Sequence, residues 1–283
     1  MSNAAVQVIP QQARLRALVL PREHGAWGIL LVPLFTGACV GMAGGARLLP
    51  LALFTLAALA LFWLRTPLES WLGSSPLKAQ TAEEKNTVRV TSGVLGAAAM
   101  ACLAALLGTG SYRGLWLLGT ACGLAFAAQA GLKKLGRRAR MAAQLVGAIG
   151  LTSTAPGAYY VATGQLDGRA FALWFANWLF AGNQIHFVQL RIHAARAAGW
   201  RQKLARGSAF FAGQFAMLAA LGAAWIAGLL PLPALAAFVP VLFRGMAWFR
   251  RPPEPLQVHQ LGWSELRHAV AFGLLLVAAF LHG

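Results

Sequence analysis

Between residues 183 and 196 the chain reads NQIHFVQLRIHAAR. Four of its polar side chains, His186, Gln189, His193 and Arg196, recur at i, i+3, i+7 and i+10. That spacing puts them on one face of an α-helix. Asn183 extends the stripe by one turn, and Arg191 stands beside it. An imidazole can take or give a proton near neutral pH, and a guanidinium holds a carboxylate or phosphate through paired N–H donors. His186 is therefore a candidate for proton transfer, and Asn183, Gln189, Arg191, His193 and Arg196 for holding an anionic group. His186 and His193 are ~10 Å apart along a helix axis, too far to share one metal ion. Axial haem ligation with His24 or His259 is the weaker option.

Two further clusters accompany this stripe. PREHGAWG at 21–28 brings Arg22, Glu23, His24 and Trp27 together where a helix should begin, with Pro21 suited to its first turn. Ordinary helix starts use an acid for the dipole and a Trp for the membrane interface. An Arg-Glu-His run is denser than anchoring requires, so His24 joins His186 as a proton-transfer candidate and Arg22, Glu23 and Trp27 join the binding set. In FWLRTPLESWLG, Arg65 and Glu69 are i and i+4 and can pair on a continuing helix, although Pro67 between them is a potential break. KAQTAEEKNTVR beyond them reads as a solvated amphipathic stretch.

These groups must be positioned by membrane helices. Residues of the AVILMFWYC set make up 58% of the 283 residues and charged residues 11%, far below the ~25% charge that a soluble globule needs for its surface. Apolar runs near the ~20 residues that cross a bilayer are expected at 24–42, 48–64, 90–108, 114–132, 141–163, 170–190, 207–229, 232–249 and 266–282. The net charge is +17, from 24 Lys and Arg against 7 Asp and Glu. Nine crossings place 21 of the basic residues on the side of the N-terminus and leave Arg47, Arg113 and Arg169 on the other. Such a split follows the positive-inside rule and marks the N-terminus as cytoplasmic and the C-terminus as external. Basic groups sorted between two faces in this way argue against nucleic acid as the partner.

The fold expected is thus an all-α integral membrane protein of about nine transmembrane helices. A polar cytoplasmic tail covers 1–20 and a single membrane domain covers 21–283. Connections on the external side, such as GTGSYRG and TGQLDGR, are short, and those at 65–89, 191–206 and 250–265 are longer and polar. A site is therefore expected at the cytoplasmic face. No removable signal peptide is expected, since Arg14 and Arg16 precede no apolar core with a cleavage site. Cys39, Cys102 and Cys122 fall inside expected spans and read as small apolar residues. Ser153, Thr154 and Pro156 in LTSTAPGAYY predict a kink whose freed backbone is bonded by hydroxyls.

PREHGAWGILLVP resembles the Glu-His-Gly-Ala-Trp-Gly hallmark of the YwiC-like family of bacterial membrane proteins. More distantly, residues 20–280 are similar in layout to UbiA-type intramembrane prenyltransferases. GLKKLGRRARMAAQLVGAIGLTSTAPGAYYVATGQL resembles their stretch linking helices four and five, with Lys133–Lys134 at its basic pair, and WFANWLFAGNQIHFVQLRIHAARAAG occupies the place of their helix-six motif. The resemblance implies a nine-helix, UbiA-like bundle in a bacterial inner membrane with a cytoplasm-facing cavity. UbiA-type enzymes hold Mg²⁺ with two Asp-rich motifs. Here RTPLESWLG offers only Glu69 and helix six no carboxylate, so no metal site and no Mg²⁺ are expected. The expectation is a protein that binds a lipid or isoprenoid-type ligand by an anionic head, either as a divergent prenyltransferase or, alternatively, as a non-catalytic transporter or assembly factor. Glu23, His24, Arg65, His186, Gln189 and His193 are expected to line one cavity.

Overall fold

The computed structural model describes residues 11–21, 24–45, 47–73, 77–110, 112–136, 139–195, 197, 199–252 and 256–283. Every regular element among them is helical: α1 (Gln11–Val19), α2 (His24–Met42), α3 (Leu48–Trp71), α4 (Ala82–Gly108), α5 (Arg113–Lys134), α6 (Arg140–Thr152), α7 (Thr154–Thr163), α8 (Gly168–His193), α9 (Trp200–Ile226), α10 (Leu232–Ala236), α11 (Val239–Arg250) and α12 (Val258–His282). Among the described residues, seven segments are long and apolar enough to cross a membrane. They are α2, α3, α4, α5, α9, the α10–α11 pair and α12. This composition fits a multi-pass membrane protein.

The other two expected spans take a different form. The stretch expected at 141–163 is divided into α6 and α7 at Ser153. Pro156 has no N–H to continue the ladder, and three hydroxyls bond the carbonyls around the break: Thr152 Oγ1 to Ala148 O at 2.7 Å, Ser153 Oγ to Gly150 O at 2.6 Å and Thr154 Oγ1 to Leu151 O at 2.8 Å. The expected kink is thus a full break. α8 has the length of a span, 26 residues, but Asn177, Asn183, Gln184, His186 and Gln189 lower its hydropathy. Asp167 caps its start by accepting from Ala170 N, and Gly164, at φ +80°, ends α7 in the left-handed region.

The chain forms two compact units, Met1–His24 with Ala52–Ser111 and Gly25–Leu51 with Tyr112–Gly283. In the first, α3 runs unbroken through Pro67 to Trp71, and Arg65 Nε meets Glu69 Oε1 at 3.0 Å. The break anticipated there is absent. α4 starts eight residues earlier than the expected span, at a capping box in which Thr81 Oγ1 accepts from Glu84 N and Glu84 accepts from Thr81 N. Glu84 is also held by Arg14 of α1 at 2.5 Å, and α1 is fastened further by Trp63 Nε1 on Val19 O and Ser70 Oγ on Leu18 O. The stretch read as merely solvated thus contains a buried anchor, since Glu84 is 4% exposed.

The second unit packs α8 between two groups of helices. Trp174 and Trp178 donate to Ile149 O and Leu145 O of α6, both at 3.1 Å, and Asn177 Nδ2 donates to Thr36 Oγ1 of α2 at 3.0 Å. Phe180 of α8 stacks on Phe272 of α12 at 4.0 Å between ring centres, and Phe238 meets the same ring edge-on. α2 approaches α7 so closely at Gly37 that a Cβ there would overlap the Ala155 backbone. Lipid gives no hydrophobic drive between helices, so this close approach of small residues supplies van der Waals contact instead.

Candidate functional site

Asn177, Asn183, Gln184, Phe187 and Leu190 form the buried side of α8. His186, Gln189 and His193 project from another side of the same helix. His186 is half-buried and meets the Phe210 ring of α9 edge-on at 5.3 Å. Gln189 Nε2 donates to Gln144 Oε1 of α6 at 3.2 Å. His193 is exposed, with Nδ1 2.8 Å from the Gln189 carbonyl of its own helix. The histidine stripe is therefore a margin of α8, and the interior face is offset from it.

What the interior face meets is a buried ion pair. Arg244 of α11 directs Nη1 to Glu265 Oε2 of α12 at 2.5 Å and Nη2 to Asn183 Oδ1 of α8 at 3.2 Å. Its guanidinium carbon lies 4.1 Å from the centre of the Phe187 ring, a cation–π contact. Gln184 Nε2 donates to the Glu265 backbone carbonyl at 3.2 Å. All four polar residues are buried, Arg244 at 9% exposed and Glu265 at 5%. The network is incompletely satisfied. Glu265 Oε1, Gln184 Oε1, Gln214 Oε1 of α9 and Arg244 Nε are buried with no hydrogen-bond partner. Buried polar groups are normally paired, and charges within membrane helices mark functional positions.

At the end of α8 this face meets a small recess, with about 20 Å³ of room, lined by Arg191, Ala194, Lys203, Trp248, Arg251 and Leu256, among others. The three elements around it are the C-terminus of α8, the first turn of α9 and the C-terminus of α11 with the chain beyond it. Lys203 is nearly buried. Its ammonium donates to Trp248 O at 3.0 Å and Arg251 O at 2.6 Å and lies 4.9 Å from the Trp248 ring centre. It thus satisfies carbonyls that the end of α11 leaves without intrahelical donors. Arg191 and Arg251 line the same hollow. Such a lining can hold an anion directly through charge-assisted hydrogen bonds.

The expected site residues are distributed as follows. Asn183 belongs to the buried network and Arg191 to the recess. Gln189, His186 and His193 stand on α8 outside both sets of contacts just described. Arg65 and Glu69 pair in the other unit. Trp27 is half-buried near the start of α2. Arg22, Glu23 and Arg196 lie outside the described residues, as does the side chain of His24. Among the described residues no three of His, Cys, Asp and Glu come together as a metal set.

Arg244, Glu265, Gln214 and Lys203 are the residues that sequence reasoning missed. Arg244 and Lys203 had been counted only as positive-inside charges. Glu265 sat one residue outside the expected 266–282 span, so Glu69 was taken as nearly the lone carboxylate available. The usable signal was an Arg within VPVLFRGMAWF and a Glu at the head of ELRHAVAFGLLLV, because an ionisable side chain amid apolar helix calls for a partner inside the protein.

No curated protein and no solved structure matches this chain. Residues 20–159, from the approach to α2 into α7, match the family of YwiC-like proteins, and the stretch carrying PREHGAWG is thus similar to that family.

Proposed function

We propose that this chain crosses a bacterial inner membrane nine times and binds a lipid or isoprenoid-type amphiphile by its anionic head at the cytoplasmic end of α8, α9 and α11. The observation carrying this reading is the recess in which Arg191, Lys203 and Arg251 converge beside Trp248 and Leu256. Cationic forks next to apolar side chains suit a ligand with a charged head and an apolar tail. Counting α6–α7 as one crossing and α8 as another restores the alternation that collects 21 basic residues on one side. In that arrangement the recess opens to the cytoplasm and the C-terminus is external. A reporter fused after Gly283 should then register the external side. Single cysteines placed in 133–140, in a background lacking Cys39, Cys102 and Cys122, should be shielded from impermeant reagents in intact cells. Labelling of that loop from outside would overturn the nine-crossing count.

Two reaction classes fit such binding. The layout similar to UbiA-type enzymes supports a divergent transferase, in which Arg forks replace Mg²⁺ at the leaving group and His186 or His24 moves a proton. A transporter is favoured by the α6–α7 break, where hydroxyls line an interrupted helix. Lipids co-purifying in mild detergent, identified by mass spectrometry, test the shared premise. An anionic amphiphile should be enriched over the bulk extract and depleted in Arg191→Ala. Equal lipid profiles in the two preparations would remove the recess as its site.

A further inference from the structure

Glu265 and Arg244 are joined through a single pair of atoms, Nη1 and Oε2. The second terminal nitrogen of Arg244 is committed to Asn183 and its plane to Phe187. The guanidinium therefore keeps two supports whatever the state of the carboxyl. On the other side, Glu265 Oε1 lies buried without a donor. Gln184 is close by and its orientation is fixed, because only its Nε2 can donate to the Glu265 carbonyl, so Gln184 Oε1 is left as an acceptor also lacking a donor. A proton on Glu265 Oε1 would convert one unpaired acceptor into a donor.

Arg191 connects this place to the recess. It stands seven residues beyond Gln184, about two turns or ~10 Å along the same face of α8. It both lines the recess and acts electrostatically on the Glu265 carboxylate. Among the described residues, the charged neighbours of Glu265 are Arg244 from α11 and Arg191 from α8, and His268, three residues along α12, is itself within the field of Arg244 and Arg267. All are cationic or can become so. The described part of α2, which packs on α12 at Gly273, contributes Thr36 and apolar groups there. An anion seated on Arg191 would cancel one of the positive charges acting on Glu265.

We propose that Glu265 is a proton-binding site and that occupation of the recess by an anionic head loads a proton onto it from solvent. This inference rests on the recess reading above. The step is a simple protonation, in which solvent or buffer supplies H⁺, the carboxylate becomes a carboxyl, and no bond of the ligand is made or broken. If the cancelled charge stands ~10 Å from the carboxyl, at an effective dielectric of ~20, the proton affinity changes on the order of tenfold. Binding would then be proton-linked, as anion uptake with a compensating cation requires inside a membrane.

The experiment is calorimetric titration of the full chain in mild detergent with geranyl diphosphate as probe. It is run at one pH in two buffers of different ionisation enthalpy, which yields the protons taken up per probe bound. Native protein should take up more protons than Glu265→Gln, with the protons of the head itself cancelling in the difference, and His268→Gln should match the native count. Binding with equal proton counts in native protein and Glu265→Gln would overturn the linkage while leaving the recess reading intact. Loss of the difference in His268→Gln would assign the proton to that residue instead. No binding by native protein would sink both. Should Glu265→Gln fail to fold, infrared difference spectra of the native protein decide the matter. A protonated-carboxyl band appearing on probe binding supports the proposal, and its absence overturns it.

Discussion

Arg244→Ala is expected to cost about 3–5 kcal/mol of stability, the range for breaking a buried ion pair from one side. The loss is large because three helices lose a common tie. Glu265 of α12 would be left as an uncompensated charge, Asn183 Oδ1 of α8 would lose its donor, and the Phe187 face would lose its cation. Both partners are less than a tenth exposed, so water cannot replace what is removed. Changing both members at once, Arg244→Met with Glu265→Leu, should recover most of the loss, since two apolar groups of similar volume carry no desolvation penalty. Unfolding in mild detergent, followed by a thiol probe on the native cysteines, measures both. If the single change proves as mild as the double, the network is peripheral to the second unit.

Lys203→Ala should follow at about 3 kcal/mol, near the low end for two hydrogen bonds from a charged donor. Its ammonium serves the carbonyls of Trp248 and Arg251 where α11 ends, in a buried position. Without it those oxygens lose a charged donor, and the chain leaving α11 loses the group that bonds the Arg251 carbonyl. The same change should therefore weaken any anion held in the recess. Lys203→Met keeps the aliphatic stem and separates the two contributions: packing recovers while the loss of anion binding remains. Equal stability for Lys203→Ala and the native chain would mean that other donors serve these carbonyls.

Much of the architecture was legible in the sequence because hydrophobic length and sorted charge are properties of runs of residues. The boundaries of α2, α5 and the α10–α11 pair follow from such runs within two positions, whereas α9 and α12 begin seven and eight residues before the expected spans. Local chemistry moved other boundaries. The Thr81–Glu84 capping box pulled the start of α4 back to Ala82, and Pro156 with its neighbouring hydroxyls cut the fifth span in two. Pro67 did not break α3, because a proline tolerated within a membrane helix needs only that its neighbours satisfy the freed carbonyl. The site was harder to read. Periodicity identifies a polar stripe but not the partners it will meet, and on α8 the His186–Gln189–His193 side is not the one that faces α11 and α12. Asn183 bonds Arg244, 61 positions further along and hidden in the sequence among topogenic charges, and Arg244 in turn pairs with Glu265, 82 positions beyond Asn183. Long-range pairing of single residues leaves no periodic trace.

In the proposed function Arg191 and Arg251, rather than a metal, hold an anionic head in the recess. The direct measurement is thermal stabilisation of the detergent-solubilised chain by geranyl diphosphate, with Mg²⁺ or with chelator, for the native protein, Arg191→Ala and Arg251→Ala. The account predicts that chelation leaves the native stabilisation in place and that each Arg change weakens binding by about 1.5–3 kcal/mol, the value of a charge-assisted hydrogen bond. Stabilisation abolished by chelator and untouched by both Arg changes would contradict it.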